Sequence, residues 1–272
     1  METTLWDKEA LEDVIAAVTG GSPQVVLAGP PGTSKTWVAK AIAAYLTKGQ
    51  MGDVRMVQFH PSYSYEQFVE GLRPVVNEGA VAFEAVDGVV LDVVAGMAPG
   101  DRRVLVIDEM NRANLPRVLG ELMYLFEYRE EEIALQYSPN FKLPAGLLFI
   151  GTMNTADRSI RSIDVALRRR FDVFECPPDR TILERYYDGP SRNNLLGGEL
   201  FEGFAKLNEA LVKSLDRHHA IGHTFFMAPA FGGSSLRHAW AHKIGPLIEE
   251  YFFDQPDLAA EFTPGQFWPS AK

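Results

Sequence analysis

Residues 24–36 of the chain read QVVLAGPPGTSKT, and residues 37–48 continue as WVAKAIAAYLTK. An apolar run, a loop of glycine and proline, and a helical pattern follow one another without a gap. That succession makes a G-x-x-x-x-G-K-[ST] spacing credible as a phosphate cradle, because the loop's backbone N–H groups then converge at a helix N-terminus. Gly29, Pro30, Pro31, Gly32, Thr33 and Ser34 would form the cradle. Lys35 would reach the β and γ phosphates, and the Thr36 hydroxyl would ligate Mg2+. Ser34 stands where the pattern asks for its second glycine, which is tolerable for a residue already in the helix.

Four further runs have the same texture: VRMVQF (54–59), RVLVID (103–108), LLFIGTM (147–153) and DVFEC (172–176). They are nearly continuous rather than alternating, as strands buried on both faces are. Helical patterns lie between them, among them LPRVLGELMYLFE (115–127), with Leu115, Leu119, Leu122 and Phe126 on one stripe. Strand–helix alternation of this kind implies a parallel sheet with right-handed crossovers. Two segments read as insertions. AVAFEAVDGVV (80–90) carries Asp87-Gly88, a hairpin signal, and EEIALQYSPNFKLPAG (131–146) reads as a strand pair or a loop. Beyond CPPDR (176–180) only helical patterns remain. Pro177-Pro178 therefore separates an α/β domain over 1–177 from a smaller helical domain over 178–272, and Pro246 should kink or restart the last helix.

The ends of the third and fourth runs carry the chemistry. RVLVID closes on Asp108 and Glu109, where the first carboxylate would hold Mg2+ and the second would orient an attacking water. The fourth run turns abruptly polar in GTMNTADRS (151–159), which sets Asn154, Asp157 and Arg158 at a strand end. Asn154 supplies a neutral donor and acceptor able to bridge water and phosphate without adding charge.

MNTADRS, together with VQFHPSYSYEQFVEGLRP (57–74), IDEMNRAN (107–114), ALRRRF (166–171), IGHTFF (221–226) and PLIEEYFF (246–253), resembles the AAA+ motors of the McrB type. The resemblance runs from about residue 24 to 254. It implies an AAA+ P-loop NTPase fold: a parallel five-stranded sheet flanked by helices, in strand order 5-1-4-3-2, with a C-terminal helical lid domain. It implies Mg2+-dependent hydrolysis of GTP in preference to ATP, a homo-hexamer, and an McrC-like partner that carries or recruits a nuclease. Glu109 becomes the catalytic carboxylate, and Asn154 with Asp157 the water-positioning pair. From RRR at 168–170, Arg169 and Arg170 are favoured over Arg168 to reach a neighbour's γ-phosphate. His223 would line the nucleotide site from the lid. Such proteins also carry a domain that reads modified DNA, whereas about two dozen residues precede the first strand here. The chain is then either an excised motor or a short member whose DNA reader is another subunit. An ATP-driven remodelling ATPase of the MoxR or dynein-related type accounts for Ser34 but not for MNTADRS, and a non-hydrolysing scaffold does not account for Glu109.

The composition, 46% hydrophobic and 23% charged, suits a globular protein with a sizeable core. A net charge of -10 gives no general means of gripping DNA phosphates, so DNA would be engaged through another domain or subunit. Cys176 is the single cysteine, which excludes a disulfide framework, and no run is long enough to span a membrane. A cytoplasmic protein is expected. The histidine groups 218, 219, 223 and 238, 242 lack the companions of a zinc site and read as polar or capping residues. Arg237 opens the last helical pattern and reads either as a lid arginine touching phosphate or as a surface arginine. The aromatic group Phe59, His60, Tyr63, Tyr65 and Phe68 reads as loop packing, with no interleaved cations for single-stranded DNA.

Overall fold

The computed structural model describes residues 4–50, 53–77, 80–157 and 165–270. Its first part comprises α1 (Lys8–Gly20), β1 (Gln24–Gly29), α2 (Lys35–Leu46), β2 (Val54–Gln58), α3 (Tyr65–Phe68), β3 (Glu70–Asn77), β4 (Ala80–Asp87), α4 (Val89–Val94), β5 (Arg103–Asp108), α5 (Leu115–Leu119), α6 (Leu122–Leu125), β6 (Leu147–Asn154), α7 (Val165–Arg168) and β7 (Asp172–Glu175). The five apolar runs form one parallel sheet in the order β2-β5-β6-β1-β7. Numbered as runs, this is the expected 5-1-4-3-2.

The runs are apolar at every position because successive side chains enter different cores. Val25 and Leu27 of β1 point to one face, with Val104, Val106 and Ile150, and meet Leu11, Val14, Val38 and Ile42 of α1 and α2. Val26 and Ala28 point to the other, with Leu105, Ile107 and Phe149, and meet Val118, Leu122 and Phe126. Each Leu or Phe so buried contributes about 1.5–3 kcal/mol of transfer free energy. The aromatic group also packs as expected: Phe59 and Phe68 are buried and meet edge to face.

Several local expectations are corrected. Asp87-Gly88 does not make a turn. The antiparallel partner of β4 is β3, upstream, in the register Val76↔Val81 and Leu72↔Ala85. Gly88 is glycine because a Cβ there would stand 2.6 Å from the Phe68 carbonyl carbon. The helical pattern over 115–127 keeps its buried stripe, but it breaks at Gly120 (φ +48), where a Cβ would strike the Tyr65 ring. Among the described residues, segment 131–146 pairs through one isolated bridge, Ile133 to Phe141. It is held instead by the buried Glu70 carboxylate, which accepts from the Ser138 hydroxyl at 2.6 Å.

The remaining chain contains α8 (Arg180–Tyr187), β8 (Asn193–Asn194), α9 (Gly198–Ser214), β9 (Ala230–Phe231), α10 (Gly233–Ala239), α11 (Gly245–Tyr251), α12 (Pro256–Glu261) and α13 (Pro264–Phe267). The short parallel pair β8–β9 has too few residues to register as a run, so the purely helical expectation missed it. Leu183, Phe204, Leu207, Ile221, Phe226, Ile248 and Trp268 gather in a third core. Gly203 lets Trp268 lie against α9, since a Cβ would sit 2.1 Å from its indole nitrogen. Before Pro246 the helix widens into a π turn over Trp240–Ile244, because the proline offers no N–H and crowds the preceding turn.

Candidate functional site

Parallel strands end together, and here β1, β6 and β5 end at one edge. Gly29 is the register partner of Asn154, and Ile107 that of Gly151, which brings Asp108 beside Thr152. Gly29 needs its missing side chain: a Cβ would lie 2.2 Å from the Cys176 carbonyl at the end of β7. Lys35 then opens α2, with its ammonium buried. Nζ donates to the Pro30 carbonyl at 2.6 Å and to the Thr33 hydroxyl at 3.4 Å, both neutral acceptors. Burial pushes this ammonium down to about 8, against the more distant pull of Cys176, Glu109 and Asp108. Cys176 itself is pushed up to about 12 by burial and is a neutral thiol at pH 7, so its pull on Lys35 is small. A buried cation held only by neutral groups favours an anionic ligand.

Three successive carbonyls of the loop are engaged. Pro30 accepts from Lys35, Pro31 from the Gly222 N–H at 3.0 Å, and Gly32 from the Thr224 N–H at 3.0 Å. In a trans peptide the N–H points opposite to the carbonyl, so the Gly32 and Thr33 N–H groups face away from segment 222–224. The approach is close. A Cβ on Gly222 would fall 2.0 Å from Gly32, and one on Gly32 would meet the Phe225 ring and the Thr224 hydroxyl.

Ser34 is not helical as expected; it is left-handed, at φ +66, which explains why the pattern asks for glycine. Its hydroxyl lies 2.9 Å from His223 Nε2. His223 is fully buried, and its Nδ1 accepts the Asp179 N–H at 3.4 Å, so Nε2 carries the proton and donates to Ser34. Burial lowers this imidazole to about 4, opposed by Asp179 and aided by Lys35, and it is neutral at pH 7. Both ring nitrogens being engaged, His223 bears on the loop through Ser34.

Thr36 donates to Asp108 Oδ1 at 2.7 Å, and Thr152 donates to the same oxygen at 2.7 Å. A hydroxyl beside a carboxylate is an all-oxygen donor set that suits a hard divalent cation such as Mg2+, so the residues fit the metal that the sequence implies. Glu109 also adopts a left-handed backbone, φ +52, and its N–H donates to Thr152 Oγ1 at 3.2 Å. Its carboxylate pairs with Arg112 Nε at 3.2 Å, while Arg112 Nη2 stands 4.0 Å from Asp157 Oδ2. Asn154 accepts on Oδ1 from the Ala156 N–H, which folds the polar loop back at the strand end, and Asn111 Nδ2 donates to its carbonyl. Beside this group, and not lined by Lys35, Thr36, Asp108 or Glu109, lies a cavity of about 460 Å3 bordered by Gly29, Pro30, Asn154, Asp157, Glu175 and Arg217 among others.

The structure thus joins the loop 29–36, Asp108, Glu109, Asn154 and Asp157, with His223 behind Ser34. Arg158 lies outside the described residues. Arg237 sits on the exposed face of α10, and the donors and acceptors named above do not include it. The preference for Arg169 and Arg170 changes: Arg170 turns inward and pairs with Glu127 at 2.9 Å, whereas Arg168 and Arg169 are exposed. The helix ends at Arg168, so the three residues do not fan out by helical rotation. Among the described residues no His, Cys, Asp or Glu group could hold a metal as a cluster, and none of the helices is long and apolar enough to cross a membrane. Thr152, Arg112 and Asn111 were missed by sequence reasoning. Asn111 and Arg112 had a signal, since they follow Asp108 and Glu109 within one turn.

The description of an AAA domain of the dynein-related subfamily matches residues 24–171, and that of the McrB alpha-helical lid domain matches residues 199–260. The chain is 38% identical to the type IV methyl-directed restriction enzyme EcoKMcrB subunit of Escherichia coli (strain K12), over 88% of this chain and 56% of that one. It is 23% identical to the type II restriction enzyme BsuMI component YdiS of Bacillus subtilis (strain 168), over 54% of each. The chain therefore spans about half the length of these curated relatives.

Proposed function

The chain belongs to the AAA domain family in its dynein-related subfamily and is an McrB-like AAA+ protein with an McrB-type lid, and from that premise we propose that it is the GTP-hydrolysing motor of an McrBC-like restriction system. In this reading residues 1–177 bind nucleotide and residues 178–272 form the lid. The observation that carries it is the buried Lys35 ammonium beside the Thr36–Asp108 pair and the Glu109 carboxylate, all at one strand edge.

Lys35 and the Gly32 and Thr33 N–H groups bind the β and γ phosphate oxygens. Glu109 polarises a water for in-line attack on the γ-phosphorus, and Asn154 with Asp157 fixes where that water sits. Mg2+, held by Thr36 and Asp108, would withdraw charge from the phosphate oxygens when bound. Arg169, with Arg168, is exposed and would offset the growing charge on a neighbouring copy's γ-phosphate in a homo-hexameric ring. Resemblance of the MNTADRS loop to McrB motors favours GTP. An McrC-like subunit would act through that loop, and with a net charge of -10 on this chain any DNA would be gripped through another domain or subunit.

The test is initial rate with GTP and with ATP at equal concentration, with Mg2+ or EDTA, and with or without an McrC-like partner. Faster GTP turnover that needs Mg2+ and rises with the partner is expected. The match to the dynein-related subfamily favours a second reading, an ATP-driven remodelling ATPase. A strong ATP preference would select it and remove the GTPase assignment.

A further inference from the structure

Thr152 is buried in β6, a strand otherwise without polar side chains until its last residue, Asn154. Its hydroxyl is used twice: it donates to Asp108 Oδ1 at 2.7 Å and accepts the Glu109 N–H at 3.2 Å. Asp108 Oδ1 also receives the Thr36 hydroxyl at 2.7 Å, so two donors fix one carboxylate oxygen. The second contact bears on strain. Glu109 is left-handed, a conformation that costs a residue with a side chain about 1–2 kcal/mol, and the Thr152 oxygen is the partner of the amide at that distorted position. Valine would fill the same space in a strand and bring neither bond, so packing does not explain the hydroxyl.

We propose that Thr152 is a positioning residue for nucleotide hydrolysis: through one oxygen it sets the rotation of the carboxylate that faces the metal and the backbone that aims the water-polarising carboxylate. The inference rests on the nucleotide-hydrolysis reading above. Removing the hydroxyl leaves Asp108 Oδ1 held by Thr36 alone and takes the Thr152 partner from the Glu109 amide, while Lys35 and the phosphate loop are untouched.

The experiment compares Thr152→Val, which keeps shape and loses the hydroxyl, with Thr152→Ser, which keeps the hydroxyl and loses a methyl. Three quantities are read: affinity for mant-GTP and mant-ATP in EDTA, the gain in that affinity on adding Mg2+, and kcat with its Mg2+ half-saturation. For Thr152→Val, binding in EDTA should stay within about two-fold, while the Mg2+ gain and kcat each fall by about 10–100-fold, as when an outer partner of a metal ligand is removed. Thr152→Ser should return both to within about three-fold of the parent. Two results overturn the proposal: a valine variant with unchanged Mg2+ gain and kcat, or a serine variant as impaired as valine, which would make the effect one of packing. If the parent hydrolyses no nucleotide, the hydrolysis reading fails, and the Mg2+ gain in binding still decides whether Thr152 orients Asp108.

Discussion

Ser34 and His223 allow a substitution whose sign depends on its partner. Ser34→Gly relieves a left-handed backbone at φ +66, worth about 1 kcal/mol. It also deletes the 2.9 Å bond to His223 and strands the Nε2 proton of a fully buried imidazole, a loss of about 1–3 kcal/mol. The net expectation in the parent is destabilisation by about 1 kcal/mol. In a His223→Leu background there is no proton to strand, only the strain relief survives, and the same change should stabilise by about 1 kcal/mol. The unpaired Asp179 N–H is common to both His223→Leu chains and cancels, leaving a coupling energy of about 2 kcal/mol. Urea unfolding of the four chains, followed by tryptophan fluorescence, measures it, and melting points should diverge in the same sense by about 2–4 °C per kcal/mol. If Ser34→Gly shifts stability by the same amount and sign in both backgrounds, the hydroxyl–imidazole bond contributes nothing and the explanation of the serine is wrong.

Glu109→Gln should keep nucleotide affinity within about two-fold and lower phosphate release by about 100-fold or more, measured by filter binding and a phosphate sensor; unchanged release would revive a non-hydrolysing scaffold. Arg169→Ala chains should bind nucleotide yet not turn it over. Mixing them with Asn154→Ala chains should restore part of the activity if the arginine acts on a neighbour, and a mixture as inactive as its components counts against that placement. For pH, His223 is depressed in the fold to about 4 from an unfolded value near 6.5. The unfolded chain therefore binds more protons between those limits, and stability must fall as pH drops through that window, by about 1.4 kcal/mol per unit at its steepest. His223→Leu should flatten the acid limb of stability against pH, and an unchanged limb would assign it to other groups.

Much of the fold was legible because burial on both faces forces uninterrupted apolar runs, and those runs need helices between them. The strand order came from family resemblance rather than from the runs themselves, since no spacing says which strand neighbours which. The phosphate loop and Asp108–Glu109 were legible because each is local in sequence. Thr152 was not, because a threonine within a strand reads as ordinary strand propensity. The Ser34–His223 bond joins residues 189 apart, and a serine in place of glycine reads as a simple departure until the imidazole is seen behind it. Arg170 could not be told from Arg168 and Arg169 because its partner Glu127 depends on where the chain leaves α7. Gly88 misled for a related reason: a glycine required by a passing backbone looks the same in sequence as one required by a turn.

The two backbone bonds from Gly222 and Thr224 to Pro31 and Gly32 leave no slack between the lid and the loop that would hold phosphate. A lever normally separates its handle from its load; here the handle is stitched to the load at the peptide itself, with glycines on both sides allowing the seam to close. A movement of the helical part at that seam of about an ångström or more must therefore either carry the loop along or break two hydrogen bonds. On the proposed reading, whatever grips the loop would be felt at the helical part, and a push there would be felt in the loop.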